Sequence, residues 1–254
     1  MSINRGEKMN KIVVGIMILL FSTIAFSKQD ENSYKIYYEN FKAVNNKTNT
    51  NVQIKYPQLK GMKYLEKQKK INKLIREKAI FTLYSEDKEV KDGLNLEVRA
   101  EVKYFSENLI SIKYSAKSHY QDTMRVYEII YSTNIDIENA GLLNCKLLFN
   151  SNFRKILNRK LFKYSSLDKA KKEEKMDKNS YEYSYTYGND EIIKELFDKY
   201  YNEFGENRYY FDKTKFTLVA EIPDGSGRNI ELSAEYKDIK NAINSKYKIW
   251  NEFY

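Results

Sequence analysis

The sequence predicts an α+β protein: antiparallel sheets with packed amphipathic helices, in two related or adjoining modules. Three observations carry that prediction. Strict apolar/polar alternation recurs between residues 94 and 137, separate stretches show helical periodicity, and the two kinds of element do not alternate regularly as a doubly wound fold requires. The 254 residues are 42% hydrophobic and 31% charged with only two prolines, so a packed core is expected and disorder is not the default.

The chain opens on an apolar run, residues 12–27, preceded by Arg5, Lys8 and Lys11 and closed by Ala25-Phe26-Ser27. It is short for a membrane span and ends in small residues, which predicts a signal peptide cleaved after Ser27. No cysteine follows it to accept a lipid. Cleavage would leave 227 residues at net charge +7, against +9 for the whole chain. An exported basic protein meets teichoic acids, lipopolysaccharide, anionic lipid or acidic protein more readily than a basic partner.

Helical spacing then predicts a helix from Lys63 to Tyr84, with Tyr64, Ile71, Leu74, Ile75, Ala79 and Leu83 on one stripe and Lys67, Lys70, Lys73 and Glu77 facing water. Leu94, Leu96, Val98, Ala100, Val102 and Tyr104 alternate with Asn95, Glu97, Arg99, Glu101 and Lys103, a strand with one wet face. Ile110, Ile112, Tyr114 and Ala116 repeat the pattern after Ser106-Glu107-Asn108 and predict an antiparallel hairpin. Residues 126–137 continue the meander to a turn at Asn139-Ala140-Gly141. A short helix is expected around Phe153, Ile156, Leu157 and Leu161, and a solvated, mixed-charge excursion at residues 168–179. Ile192, Leu196, Phe197, Tyr200 and Phe204 space a further helix, opened by Asn189-Asp190-Glu191 and closed by Gly205. Strands at 215–222 and 229–235, joined by Pro223-Asp224-Gly225-Ser226-Gly227, complete the reading.

One cysteine and one histidine leave little room for a disulfide framework, a zinc site or an ordinary nucleophile–histidine pair, so no catalytic residue, metal or cofactor is expected. Tyr181, Tyr183, Tyr185 and Tyr187 alternate along a would-be strand and place four phenols on one face. Such a face either stacks on glycan rings or roofs the core with its hydroxyls in water, and exposure decides which. His119 is the second candidate, a base or ligand if a carboxylate orients it and otherwise a turn residue. Cys145, among leucines, reads as a small buried apolar residue. The acids at Asp136 and Glu138, and at Glu86, Asp87 and Glu89, lack an apolar surround. The loop at Asp224-Gly225-Ser226-Gly227 joins two strands and is a hairpin turn, not a phosphate cradle.

Tyr56-Pro57-Gln58-Leu59-Lys60-Gly61 with Lys69-Lys70-Ile71-Asn72-Lys73-Leu74-Ile75 resembles the opening strand and helix of the exported domain that precedes the RsiV-like domain. Ser132-Thr133-Asn134-Ile135-Asp136-Ile137, Gly141-Leu142-Leu143 and Leu148-Phe149 are similar to the start of the RsiV-like domain. Phe216-Thr217-Leu218-Val219 and Glu235-Tyr236-Lys237-Asp238-Ile239 are similar to its closing strands. The resemblance implies an extracytoplasmic α+β pair, found free-standing, beside peptidoglycan deacetylases and in a lysozyme-sensing anti-sigma factor. It implies no reaction. Leu147 stands where the family usually has Asp, and Lys117-Ser118-His119 where it has a Gly-Ala-His-like turn. The expected organisation is a signal at 1–27, an N-terminal module at 28–125, an RsiV-like module at 126–242 and a tail at 243–254. The expected function is that of an exported, non-enzymatic envelope protein, in the periplasm or outside the cell. Its expected partner is a macromolecule: an envelope glycan, or a secreted protein such as a lysozyme-type hydrolase. Nucleic acid is not an expected partner, and a membrane only through an uncleaved signal. The alternative is a carboxylate-dependent enzyme acting on cell-wall polysaccharide.

Overall fold

The computed structural model describes residues 34–84, 93–120, 126–157, 161–164, 208–221 and 229–254. The leader, the acids at 86–89, the mixed-charge run, the tyrosine ladder at 181–187, the helix expected from 189 to 205 and the turn at 223–227 lie outside the described residues.

Six strands form the first sheet in sequence order: β1 (Lys35–Asn45), β2 (Thr50–Lys60), β3 (Leu94–Phe105), β4 (Leu109–Tyr120), β5 (Tyr127–Asp136) and β6 (Gly141–Leu142). The β3–β4–β5 meander is the one that alternation predicts, and its registers set the alternating apolar residues side by side. One neighbour pair is parallel. Residues 51–55 of β2 run beside residues 95–99 of β3, and α1 (Leu65–Tyr84) makes the crossover. The sheet is therefore mixed and holds one βαβ unit, where the sequence reading has only antiparallel sheets. Periodicity reports which face of a strand is buried and carries nothing about the direction of its neighbour.

The crossover helix forms because Ile71, Ile75 and Ala79 fall on one stripe, and all three are fully buried against the sheet. Tyr64 precedes the helix and is 63% exposed, off the stripe on which spacing places it. Asn72 locks the helix to β2 by a two-way bond: its Nδ2 donates to the Leu59 carbonyl at 2.9 Å and its Oδ1 accepts from the Leu59 N–H at 2.8 Å. That side chain takes the place of a neighbouring strand where the parallel ladder has ended. Pro57 lies in the same stretch, where no ladder on the β3 side asks for its missing N–H. One core lies between α1 and this face, built on Val52, Ile54, Leu96, Val98, Ile110, Ile112, Tyr114 and Ile135.

The second sheet has the order β7 (Lys163–Tyr164), β10 (Asn229–Glu235), β9 (Lys215–Glu221), β8 (Tyr209–Phe211). The β9–β10 hairpin is the one expected from the sequence. A second core gathers under this sheet with three four-residue helices, α2 (Cys145–Leu148), α3 (Phe153–Ile156) and α4 (Tyr236–Ile239), and two 3₁₀ turns at 240–242 and 248–252. The last residues, read as a tail, belong to it. Trp250 is 2% exposed, its Nε1 donates to the Leu148 carbonyl at 2.9 Å, and Phe253 stacks on Phe211 and Tyr236. Two large aromatics in a charged stretch make no periodic signal, yet they bury enough area to hold it down.

The two sheets meet through polar side chains. Ser111, Ser132 and Asn134 lie on the β4–β5 face away from α1, and all are fully buried beneath β8. Asn134 Nδ2 donates to the Tyr209 carbonyl at 2.6 Å, and Ser132 Oγ donates to the same carbonyl. Ser111 Oγ donates to Asn134 Oδ1 at 2.6 Å and accepts from the Phe211 N–H at 2.9 Å. These contacts satisfy an edge strand laid on a sheet face, whose backbone groups would otherwise be buried unpaired. Beside them Lys113 pairs with Glu231 at 2.6 Å, with both side chains mostly buried. The first sheet thus takes strands from both sides of residue 125, and the sheets do not divide where the expected modules do. Among the described residues the protein is mostly sheet, with α1 its one long helix, so α+β describes it only loosely.

Candidate functional site

The second sheet covers β4, β5 and the end of β3 on the side away from α1 and leaves β1, β2 and the rest of β3 uncovered there among the described residues. On this face the registers line up polar side chains in rows across the strands. One row runs Lys42, Gln53, Glu97, Lys117, and the next Asn40, Lys55, Arg99, Ser115. The alternation that buries Val52, Ile54, Leu96 and Val98 turns these intervening residues to water. They floor an open basin of about 540 Å³ lined by Tyr38, Asn40, Lys42, Gln53, Lys55, Glu97 and Arg99.

Three cations face one acid in that lining. The acid, Glu97, accepts from Arg99 Nε at 2.7 Å and so has its charge answered within the site. Lys55 Nζ stands 5.2 Å from the centre of the Tyr38 ring, a cation–π contact that keeps both side chains extended over the floor. Tyr38 is 41% exposed, and its hydroxyl pKa is raised by burial, with a backbone bond from Val102 working the other way and Glu101 adding to the rise. The site therefore offers ammonium, guanidinium and amide donors around an aromatic face, a set suited to hydroxyl-rich or anionic polymers. It contains no pair of free carboxylates for general acid and base work. No group of three or more His, Cys, Asp or Glu side chains is placed to hold a metal ion among the described residues.

A bulge between Val102 and Tyr104 follows Ala100, the last β3 residue of the basin lining. It swings Lys103 towards Glu101 at 3.0 Å and Asp212 at 3.3 Å, while Tyr104 turns into the second core. Burial opposes the Lys103 charge, but Glu101 and Asp212 outweigh it and hold the ammonium above its ordinary value. Tyr210 sits between Lys103 and Lys113, each 5.7 Å from its ring, and donates to Glu231 at 2.8 Å. This network joins the sheets and borders the site.

His119 lies on β4 and not in a turn, exposed and opposite Asn95, one row beyond Glu97 and Lys117. No hydrogen bond or ion pair joins its side chain to a carboxylate among the described residues, so it shares the face without being poised as a base. Cys145 is 3% exposed and burial pushes its thiol pKa up, the environment of an inert apolar residue. Asp136 accepts from the Asn139 N–H at 3.0 Å and from Asn139 Nδ2 at 2.7 Å, which closes the turn before β6. Glu97 and Arg99 are legible in the sequence as wet-face residues. Tyr38, Asn40 and Lys42 are not singled out by any local signal, because β1 has no fully buried position; Gln53 and Lys55 alternate with buried Val52 and Ile54, but β2 joins them to β3 only through a parallel pairing.

The fold is similar to that of a DUF3298-family member from Bacteroides fragilis, a domain of unknown function. The TM-score is 0.53 at 12% identity, over 87% of this chain and 96% of the other. A DUF3298-family protein from Pseudomonas aeruginosa aligns more loosely, with a TM-score of 0.44 at 9% identity over 85% and 95% of the two chains. No family model and no curated protein matches the sequence. At such identities the first likeness establishes the fold and leaves the activity to be argued from the site.

Proposed function

We propose that this is an exported envelope protein that works by contact and not by turnover, binding a wall glycan or other anionic wall polymer on the open face of β1, β2 and β3. The observation that carries the reading is the basin itself, an exposed floor of Lys42, Lys55, Arg99 and Asn40 beside the Tyr38 ring, with its one acid already engaged. The apolar leader supports export, to the periplasm or beyond the cell. The resemblance to the RsiV-like domain supports an envelope role and brings a lysozyme-type hydrolase forward as a partner. A basic hydrolase, however, would meet like charge in this basin, whereas an acidic polymer would be steered to it.

The test is co-sedimentation of the chain from residue 28 onward with purified wall material, before and after its anionic polymers are stripped, alongside capture on immobilised lysozyme. The proposal expects binding to intact wall that weakens on stripping and is lost in Lys55→Gln/Arg99→Gln. Binding to lysozyme alone, or wall hydrolysis abolished by Glu97→Gln, would overturn it.

A further inference from the structure

The net charge of this protein is concentrated on one element. Residues 60–78, the loop into α1 and most of that helix, carry eight cations against two acids, a net +6 of the whole chain's +9. The remaining residues are close to neutral. On a helical projection Lys69, Lys70, Lys73 and Arg76 lie opposite the buried stripe of Ile71, Ile75 and Ala79, and all four are exposed. The two acids of the segment each meet a lysine, Glu66 with Lys69 at 2.7 Å and Glu77 with Lys73 at 3.7 Å, in exposed pairs that screen little of the field. Lys60, Lys63, Lys70 and Arg76 have no acidic partner among the described residues.

The same end of the helix exposes apolar side chains. Tyr64 is 63% and Leu65 56% exposed, which makes them two of the most exposed large apolar residues described. Lys63 and Lys67 stand 5.9 Å and 5.7 Å from the Tyr64 ring, so the aromatic carries a cationic collar. A phenol and a leucine ringed by lysines match the headgroup layer of a bilayer, where the apolar tips enter the acyl boundary and the ammoniums reach phosphates. A soluble polyanion would use the cations and gain nothing from Leu65.

We infer that the outer face of α1, with Tyr64 and Leu65 at its leading end, docks the folded protein on an anionic phospholipid surface. The α1 layer and the basin lie on opposite sides of the first sheet, so a protein held this way turns the basin away from the bilayer. The contact is separate from any supplied by the apolar leader, and it does not depend on what the basin binds.

Among the described residues both hydrophobic cores lie at or beyond Tyr34, so the chain from residue 28 keeps all of these core residues and removes the leader from the assay. Flotation of this chain with phosphatidylcholine vesicles, with and without phosphatidylglycerol, is the experiment. Association is expected only with the anionic vesicles and is reversed by salt. Lys69→Gln/Lys70→Gln/Lys73→Gln weakens it by about tenfold or more. Tyr64→Ser/Leu65→Ser weakens it several-fold and leaves its salt dependence unchanged, and Lys55→Gln/Arg99→Gln leaves it intact. Far-ultraviolet circular dichroism confirms that the exposed-site variants remain folded. Equal binding to neutral vesicles, or anionic binding indifferent to the three lysines, overturns the inference. So does equal affinity for soluble polyphosphate that ignores Tyr64 and Leu65, which would assign the face to a polymer.

Discussion

Replacing Asn134 by alanine tests the polar seam that holds the two sheets together. Asn134 is fully buried, and the substitution deletes its bond to the Tyr209 carbonyl and removes the acceptor of the Ser111 hydroxyl. The Tyr209 carbonyl still receives Ser132, so the larger cost falls on Ser111, whose proton is left without a partner in a dry site. Stranding one buried donor costs about 1–3 kcal/mol, and the space left by the amide adds about 1 kcal/mol. The expected loss is therefore about 2–4 kcal/mol. For a domain of this size that lowers Tm by about 5–15 °C. Urea unfolding followed by Trp250 fluorescence and by far-ultraviolet circular dichroism measures it, since Trp250 reports the second core while the dichroism reports both sheets. Ser111→Ala/Asn134→Ala should fall short of the sum of the single losses by about 1 kcal/mol, because the stranded donor has gone. Exposed Ser115, on the same strand, should tolerate alanine within about 0.5 kcal/mol. A loss below about 0.5 kcal/mol for Asn134→Ala, or strict additivity with Ser111→Ala, would refute the seam.

Three further outcomes follow from the same packing. Lys113→Met leaves Glu231 mostly buried without its cation and should cost about 2–4 kcal/mol, whereas Lys113→Met/Glu231→Met should recover much of that in the same urea assay. Trp250→Ala should cost about 3–5 kcal/mol by circular dichroism, showing that the C-terminal residues are part of the core; a loss under about 1 kcal/mol would return them to a tail. Burial together with Glu252 pushes the Tyr104 phenol up to about 12 from its ordinary 10.0, and burial alone does the same for Tyr254. The folded state keeps these protons more tightly than the unfolded state does. Their contribution is thus complete below pH 10.0 and is lost as pH rises from there towards about 12. Phenolate absorbance of the native chain minus that of Tyr104→Phe should show the missing group ionising near the upper value, and ionisation near 10.0 would contradict its burial.

Sequence patterning carried the meander, the crossover helix and the β9–β10 hairpin, because each has an apolar face or stripe of regular period. It left out β1, whose KIYYENFKAVN buries no residue fully and so shows no core stripe. The direction of the β2–β3 pairing was equally silent, since parallel and antiparallel partners bury the same alternate residues. Ser111, Ser132 and Asn134 expose a deeper limit. Alternation puts them on a polar face, but a polar face can meet water or the backbone of a second sheet, and only the fold distinguishes the two. The basin was half legible for a related reason: Glu97 and Arg99 belong to a strand with clear alternation, while Lys42 and Lys55 become their neighbours only after two long-range pairings. His119 stood out because it is unique in composition, which says nothing of its surroundings: it lies on β4 opposite Asn95, with no carboxylate bonded to it among the described residues.

Contact on the open face of β1, β2 and β3 is tested most directly by amide chemical-shift perturbation of the chain from residue 28, titrated with soluble fragments of anionic wall polymer. Saturable shifts should cluster at Asn40, Lys42, Gln53, Lys55, Glu97 and Arg99, and should vanish in Lys55→Gln/Arg99→Gln while the rest of the spectrum stays unchanged. No saturable shift with any wall fragment, or shifts confined to other surfaces, would contradict the account.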